Sequence, residues 1–388
     1  MSRWWDTTLG EVCELKRGYD LPASLRALGV IPVVSSSGIT GYHSVAKVKG
    51  PGVVTGRYGT LGAVYYLDSD FWPLNTSLYV RDFKGNDPRF VAALLKSLNL
   101  ADSGAAAAVP GVNRNHLHML PVRCPDLDTQ RAVGHLLGSI DGLIGNSTRR
   151  ITILEALTRA LYREWFVEFR YPGHEGVPLV DSEMGPIPKG WVVTAASDAL
   201  EVNPRLRIPA STESPFVAMG DLSEEYAVCF PSTIRGGNSG SRFQKHDTLF
   251  ARITPCLENG KTGYLLGLGD AEIARGSTEF IVLRGRRVGS AFTYCLARSD
   301  AFRSNAIQSM SGASGRQRVR TGCLDSFPVA IPPTDVQGRF EEVARGTLRL
   351  QYELAVQSRR LVSARDLLLP RLVSGQIDVS NVELAEVV

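Results

Sequence analysis

A repeated segment is the feature of this chain that most constrains its fold. The stretch PVRCPDLDTQ at Pro121–Gln130 returns as PVAIPPTDVQ at Pro328–Gln337, 207 positions later. The same shift continues without insertion along the apolar positions that follow, so that Val133 falls on Phe340. Two copies of one unit in a single register predict a pseudo-symmetric molecule.

Composition bounds the class of protein. A chain of 388 residues with 44% hydrophobic content has enough material for two or more domains. The excess of 43 Lys and Arg over 39 Asp and Glu permits nucleic-acid binding but does not demand it. No apolar run approaches the roughly 20 residues of a membrane span, and MSRWWDTTLG lacks the apolar core of a signal peptide. We therefore expect a soluble cytoplasmic protein with no membrane partner.

Metal and disulfide sites are not indicated. The six cysteines are scattered without a CxxC pair, which predicts free thiols. His116 and His118 are close in sequence, but we favour ordinary surface or half-buried histidines over a metal site there. No metal is expected.

The order of patterns predicts an α+β chain organised as two globular blocks, each followed by a long helix. The expected segments are residues 1–124, a helix at 125–170, a connector and second block at 171–333, and a second helix with a tail at 334–388. Each block combines strand-like apolar runs with one helical run, Pro88–Leu98 in the first and Gly289–Arg303 in the second.

Both long helices, expected over about Asp126–Phe169 and Asp335–Leu369, carry apolar residues at heptad spacing. Helices of that length, about 60 Å, predict an antiparallel coiled-coil pair that acts as a spacer. Arg150 and Gln357 interrupt the apolar pattern at repeat-equivalent positions. Either they meet in the middle of the spacer and fix its register, or they point to solvent.

Several separate motifs, in order, resemble the specificity subunit of type I restriction-modification systems. The resemblance covers almost the whole chain and is closer in the second block than in the first. The motifs are MGPIPKGW at Met184–Trp191, LYREWFVEF at Leu161–Phe169, DTLFARITPCLENGK at Asp247–Lys261, GSTEFIVLR at Gly276–Arg284 and LLLPRLVSGQIDV at Leu367–Val379.

The resemblance implies two target-recognition domains, each of which reads one half of a split site in double-stranded DNA. It further implies that the helices dock modification (methyltransferase) subunits, expected to number two, and restriction subunits, which are ATP-dependent nucleases. The methyltransferase would flip out an adenine and use its own S-adenosylmethionine. This chain would then bind no cofactor. Two similar domains with a rigid spacer also suit the two-fold symmetry of duplex DNA.

One loop in each block carries candidate DNA-reading side chains. Glycines flank Arg57 and Tyr58 after a predicted strand and allow close approach to a partner. In the second block Arg252 aligns with Arg57. Arg can bind guanine, Asn adenine and Lys phosphate. The alternative is a hairpin whose arginine faces water. The other candidates on the second loop are Thr254, Asn259 and Lys261.

A later loop in each block supplies further candidates. Arg316, Arg318 and Arg320 alternate along the chain, which in an extended segment gives one cationic face suited to a phosphate backbone, with Gln317 facing away beside them. The alternative is a solvated charged face. The corresponding place in the first block offers Asn113 and Arg114, a difference expected if the two halves read different sequences.

Trp165, Phe166 and Phe169 lie at the end of the first long helix. They either anchor that end or dock a partner subunit, and exposure would favour docking.

Catalysis by this chain is not indicated. It has no GxxxxGK[ST] phosphate loop, and Asn203-Pro204 is followed by Arg205, which does not match an adenine-methyltransferase site. We expect no catalytic residue. The main hypothesis is a non-catalytic DNA-reading subunit, and the alternative is a helical scaffold that binds proteins. An autonomous enzyme is a third and weaker possibility.

Overall fold

The computed structural model describes residues 3–98, 112–313 and 315–379. The chain divides into two compact units, unit 1 of Met1–Ile144 with Arg360–Val388 and unit 2 of Gly145–Arg359. Two helices of 40 residues, α4 and α9, contribute to both units: α4 is Leu127–Phe166 and α9 is Thr334–Val373.

In its described residues, unit 1 is built from short strands and three helices that precede α4. The helices are α1 (Leu9–Val12), α2 (Pro88–Ser97) and α3 (Arg114–His118), with one 3-10 turn at Ala23–Leu25. The strands are β1 (Trp4–Thr8), β2 (Glu14–Arg17), β3 (Ile31–Ser35), β4 (Gly38–His43), β5 (Gly52–Gly56), β6 (Val64–Leu67), β7 (Trp72–Pro73), β8 (Ser77–Asp82) and β9 (Pro121–Pro125).

Unit 2 follows the same plan with additional strands. Its helices between α4 and α9 are α5 (Ala196–Ala199), α6 (Ser290–Arg298), α7 (Asp300–Gln308) and α8 (Gly322–Asp325), with a 3-10 turn at Met219–Asp221. Its strands are β10 (Leu179–Val180), β11 (Ile187–Pro188), β12 (Val192–Ala195), β13 (Leu200–Val202), β14 (Ser214–Val217), β15 (Thr233–Arg235), β16 (Ser241–Gln244), β17 (Thr248–Ala251), β18 (Thr262–Tyr264), β19 (Ile273–Gly276), β20 (Phe280–Gly285) and β21 (Pro328–Ile331).

The sheet topology repeats between the units. The four-stranded antiparallel sheet β2-β8-β5-β6 of unit 1 corresponds to β13-β20-β17-β18 of unit 2. The first strand of each block pairs with the strand that leads into a long helix, as β1 with β9 and as β12 with β21. Among the strands that the structure describes, each unit also has one parallel pair, β3 with β7 and β14 with β19. The predicted α+β fold with an internal repeat is confirmed.

Both long helices complete the core of each unit. In unit 1 the apolar core includes Val133 and Leu137 of α4 together with Leu372 of α9. In unit 2 it includes Phe166 of α4 and Phe340 of α9, whose ring centroids are 4.7 Å apart. Neither block closes its core with its own strands alone, so the helix pair is part of each folding unit.

The helices are antiparallel within each unit, as predicted. In unit 2 the hydroxyls of Thr158 and Thr347 are 2.7 Å apart, and Ile151 shares an apolar cluster with Leu354. Residue numbers therefore rise along α4 as they fall along α9. In unit 1, Arg365 pairs with Asp141 at 2.9 Å.

The two residues that interrupt the heptad pattern point to solvent. Arg150 and Gln357 are both exposed, so they do not fix register inside the helix pair. Buried polar side chains lie at other positions of the helices, among them Glu155, Thr158 and Gln351. A heptad pattern locates the seam, but it does not say which polar residues enter it.

Helix α9 continues to Val373, four residues beyond the predicted end at Leu369, and two other helix boundaries also differ from the sequence prediction. The single helix expected at Gly289–Arg303 is two helices, α6 and α7, because Ser299 breaks the first and its Oγ accepts the Phe302 N–H at 3.3 Å. Helix α4 ends at Phe166, three residues before the predicted end, and Phe169 has a φ of 57°. A local cap and a left-handed residue decide these ends, and apolar spacing does not report either.

Helices α2 and α6 each have a carboxylate that caps the N-terminus, but the carboxylate comes from a different part of the chain in each unit. In unit 1 the cap residue Asp87 accepts the Phe90 N–H at 2.9 Å. In unit 2 the cap residue is Gly289, and Glu341 of α9 accepts the Phe292 N–H at 2.8 Å. The repeat-equivalent of Glu341 is Gly134, where an added Cβ would lie 2.8 Å from an Asp87 carboxylate oxygen. Each unit places one carboxylate at this helix end, where the helix dipole favours it.

The different origin of the two caps predicts that one substitution can compensate for another. Glu341→Ala should lower the free energy of unfolding by about 1 to 2 kcal/mol, because two backbone N–H groups lose their acceptor. Adding Gly289→Asp should restore most of that loss, since it recreates the unit 1 cap in the space left by the glutamate. Urea unfolding followed by circular dichroism measures both. Exposed Glu342→Ala is the control, and a double variant no more stable than Glu341→Ala would refute the cap.

Candidate nucleic-acid interface

In unit 1 the first candidate loop is a tight turn after β5. Arg57 lies over the ring of Tyr58, with its guanidinium carbon 4.5 Å from the ring centroid. Both backbone N–H groups donate to the carbonyl of Thr76, at 2.9 and 3.2 Å. At Gly56 an added Cβ would collide with the Thr60 carbonyl, so the turn requires glycine there. Tyr58 is exposed and Arg57 half-buried, which leaves a cationic and aromatic surface on a fixed backbone.

The second candidate segment of unit 1 lies beside this turn. The Val112 N–H donates to the carbonyl of Arg57 at 2.9 Å. Asn113 and Arg114 follow and are exposed, and the Asn113 side chain caps α3 by accepting the Asn115 N–H at 3.0 Å. The part of the predicted loop before residue 112 lies outside the described residues.

Unit 2 makes the same junction with equivalent residues. The Val319 N–H donates to the carbonyl of Arg252 at 2.9 Å, and Val319 is Val112 shifted by 207 positions. Thr254 and Gln317 add two further bonds, from the Thr254 N–H to the Gln317 carbonyl at 3.1 Å and from the Gln317 N–H to Thr254 Oγ1 at 3.2 Å. In both units the fold therefore brings together the two loops that the sequence singled out separately.

The first loop of unit 2 is held more tightly than expected. Arg252 is half-buried, and its Nη2 lies 3.4 Å from the Val319 carbonyl. The Asn259 amide donates to Glu224 at 3.1 Å, and the Lys261 ammonium donates to the Met219 carbonyl at 3.3 Å. These polar side chains are ordered by the protein itself, so any partner meets them already positioned.

The arginine row of unit 2 alternates as predicted but is partly neutralised. Arg316, Arg318 and Arg320 are exposed while Val319 between them is buried. Arg318 forms a salt bridge of 2.7 Å with Glu279. Hydrogen bonding from Arg318 lowers the pKa of the Glu279 carboxyl. The acid comes from 39 residues earlier in the chain, so a search for acids between the arginines could not find it.

The aromatic residues at the end of α4 are anchors. Trp165 and Phe166 are 7% and 6% exposed and belong to the core of unit 2. Phe166 contacts Trp191, and Phe169 packs on the same ring at a centroid distance of 5.2 Å. Their burial supports the anchoring alternative, because most of their surface is covered by the unit itself, and the docking of a partner by these residues stays a prediction.

One cluster near the Arg57 turn was missed at the sequence level. The Lys47 ammonium lies 5.2 Å from the ring centroid of Tyr19 and 5.7 Å from that of Trp72. The Tyr19 N–H donates at 2.8 Å to the carbonyl of Pro73, which ends β7 three residues before the Thr76 whose carbonyl accepts the Arg57 N–H. These residues come from three separate segments, so no local pattern could have linked them.

Within the described ranges, no group of three or more His, Cys, Asp and Glu residues is arranged to hold a metal. His118 lies on α3, and its Nε2 accepts the Leu15 N–H at 2.9 Å. Burial lowers the pKa of this histidine. Over the same ranges, no helix has the length and apolarity needed to cross a membrane.

Comparison with known proteins shows which proteins this chain is similar to. Residues 1–156 match the Type I restriction modification DNA specificity domain. The EcoEI specificity subunit of Escherichia coli is 27% identical over 52% of this chain, and the EcoAI subunit is 28% identical over 54%. The chain covers 35% and 37% of the length of those two relatives. The MjaIX specificity subunit of Methanocaldococcus jannaschii is 21% identical over 73% of this chain and 66% of its own length.

A solved structure has the same fold. The S subunit of a type I restriction-modification system from M. genitalium superposes with a TM-score of 0.64 at 13% identity and covers 96% of both chains. The predicted resemblance is thereby confirmed: the chain is similar in sequence to specificity subunits of type I restriction enzymes and similar in fold to one of them. The family model matches over residues 1–156, which include the block that was expected to match less closely.

Proposed function

We propose that this chain is the non-catalytic, sequence-reading subunit of a type I restriction-modification complex. Each unit reads one half of a bipartite site in double-stranded DNA through its paired loops. The chain brings adenine-methyltransferase subunits and ATP-dependent restriction subunits to that site, and the chemistry and the cofactors belong to those partners. Its place of action is the cytoplasm.

The observation that carries the proposal is the repeated loop junction. The bond between Val112 and Arg57 recurs between Val319 and Arg252 with the same length. The backbone junction is the same in both units, but the side chains around it differ. They include Tyr58 and Asn113 in unit 1 and Gln317 and Arg320 in unit 2. A constant frame with variable polar side chains is what two readers of different half-sites require.

The reading residues divide between the two units under this proposal. Unit 1 contributes Arg57, Tyr58, Asn113 and Arg114. Unit 2 contributes a larger set: Arg252, Thr254, Asn259, Lys261, Arg316, Gln317, Arg318 and Arg320. Contacts within the unit hold six of these side chains, namely those of Arg252, Thr254, Asn259, Lys261, Arg318 and Arg320.

Paired arginine substitutions test the division of labour. Arg57→Ala should weaken base preference in one half-site by about 10- to 100-fold, the range lost with a bidentate base contact. Arg252→Ala should do the same in the other half-site. Binding to duplexes with each half randomised in turn, with methyltransferase subunits present, measures this.

Equal loss at both half-sites in either variant would refute the modular assignment. A chain that binds no duplex at any salt concentration, even with its methyltransferase, would favour the protein-binding scaffold.

Glu279 offers a test of the arginine row. Glu279→Gln should tighten DNA binding at low salt by several-fold, because Arg318 loses the carboxylate that neutralises it. The slope of log affinity against log salt should steepen by about 0.9 for one added phosphate contact. Asp300→Asn removes another surface ion pair, with Arg303 at 3.1 Å on α7, and is the matched control. Identical slopes in the two variants would exclude Arg318 from the interface.

The long helices are proposed to set the gap between half-sites, since each runs through both units. Removing one heptad from α4 and the facing heptad from α9 should shorten the tolerated gap by about three base pairs. Base preference within each half-site should stay the same. Methylation of duplexes with varied gaps measures this, and an unchanged gap would contradict the ruler.

A further inference from the structure

A buried arginine lies at the end of the block helix of unit 2. Arg298 is the last residue of α6 and is 5% exposed, and its Nε lies 3.5 Å from the carboxylate of Glu155 on α4. The Tyr294 hydroxyl donates to the same carboxylate oxygen at 2.8 Å. Burial raises the pKa of Glu155, and the charge of Arg298 opposes that shift. Two charges remain in a core only when each has a partner, and here each is the other's.

The other side of the guanidinium holds a candidate reading loop. Nη1 of Arg298 donates to the carbonyl of Gly260 at 2.6 Å and to that of Glu224 at 3.1 Å. Gly260 belongs to the turn that the Lys261 N–H closes onto Cys256 at 2.9 Å. Glu224 in turn accepts the side-chain amide of Asn259 at 3.1 Å. One arginine therefore connects a long helix to the backbone between two candidate DNA-reading residues.

Unit 1 contains a natural comparison. Lys96 occupies the matching last turn of α2 and also pairs with a carboxylate of α4, Asp141, at 2.7 Å. Those side chains are 28% and 35% exposed, whereas Arg298 and Glu155 are 5% and 3% exposed. The first block has no counterpart of the segment PCLENGK. A lysine is a point charge, but the planar guanidinium can bind a carboxylate on one edge and carbonyls on another.

We propose that Arg298 is a positioning residue for DNA reading by unit 2. It fixes the turn at Pro255–Lys261 against α4, so that Asn259 and Lys261 are presented to DNA in one geometry. The inference rests on the proposed function. It means that the buried pair of Glu155 and Arg298 contributes to the base preference of the exposed loop by holding that loop in place.

The test compares Arg298→Lys with Lys96→Met in the full chain. The lysine cannot reach the carboxylate and both carbonyls together, so amide hydrogen exchange at Asn259, Gly260 and Lys261 should accelerate about tenfold or more. Base preference in the half-site read by unit 2 should fall by about tenfold, with the other half-site unchanged. Lys96→Met should change neither quantity.

Several results would overturn the inference. They are wild-type exchange in Arg298→Lys, faster exchange with unchanged base preference, or the same losses in Lys96→Met. If Arg298→Lys fails to fold by circular dichroism, Glu155→Gln takes its place, because it keeps the volume and the Tyr294 bond while removing the charge. The same exchange and preference changes are expected there, and wild-type values in that variant refute the proposal.

The exchange measurement needs no DNA. If the wild-type chain binds no duplex even with its methyltransferase, the proposed function is refuted, and the exchange rates still decide whether Arg298 holds the turn.

Discussion

The burial of one antiparallel helix pair in both units is the constraint on which the rest of the structure depends. Unit 1 takes Val133 and Leu372 from α4 and α9, and unit 2 takes Phe166 and Phe340 from the same two helices. Each block therefore closes its core with residues of both long helices. The strands need those helices to cover their apolar faces. The packing on the helix pair therefore also fixes the positions of the loops at the strand ends.

The same helices also deliver polar groups that organise each block. Glu341 caps α6 where unit 1 uses its own Asp87, and Glu155 holds the arginine that reaches the turn at Gly260. In both units a backbone bond then joins the two loops. These contacts form a continuous physical path from helix seam to exposed side chain in unit 2, and they explain how a repeated frame supports different surfaces.

Sequence reasoning recovered what depends on pattern. The 207-residue shift gave the repeat, and heptad spacing gave the antiparallel pair. It missed what depends on distant partners: the Glu279 carboxylate on Arg318, the aromatic contacts that bury Trp165, and the cluster of Lys47 with Tyr19 and Trp72. It also ran through the break at Ser299, where a single hydroxyl cap outweighs a continuous apolar run. Periodicity reports which face is buried, and tertiary contacts decide which charge is free.

The adenine-methylation pattern of DNA from cells that make this chain with its methyltransferase is the most direct test of the account. Two paired-loop readers on one helix pair predict a split motif, with two short defined halves around an undefined gap of fixed length and one methylated adenine on each strand. Loss of this chain should abolish the pattern. A continuous motif, or methylation that persists unchanged without the chain, would contradict the account.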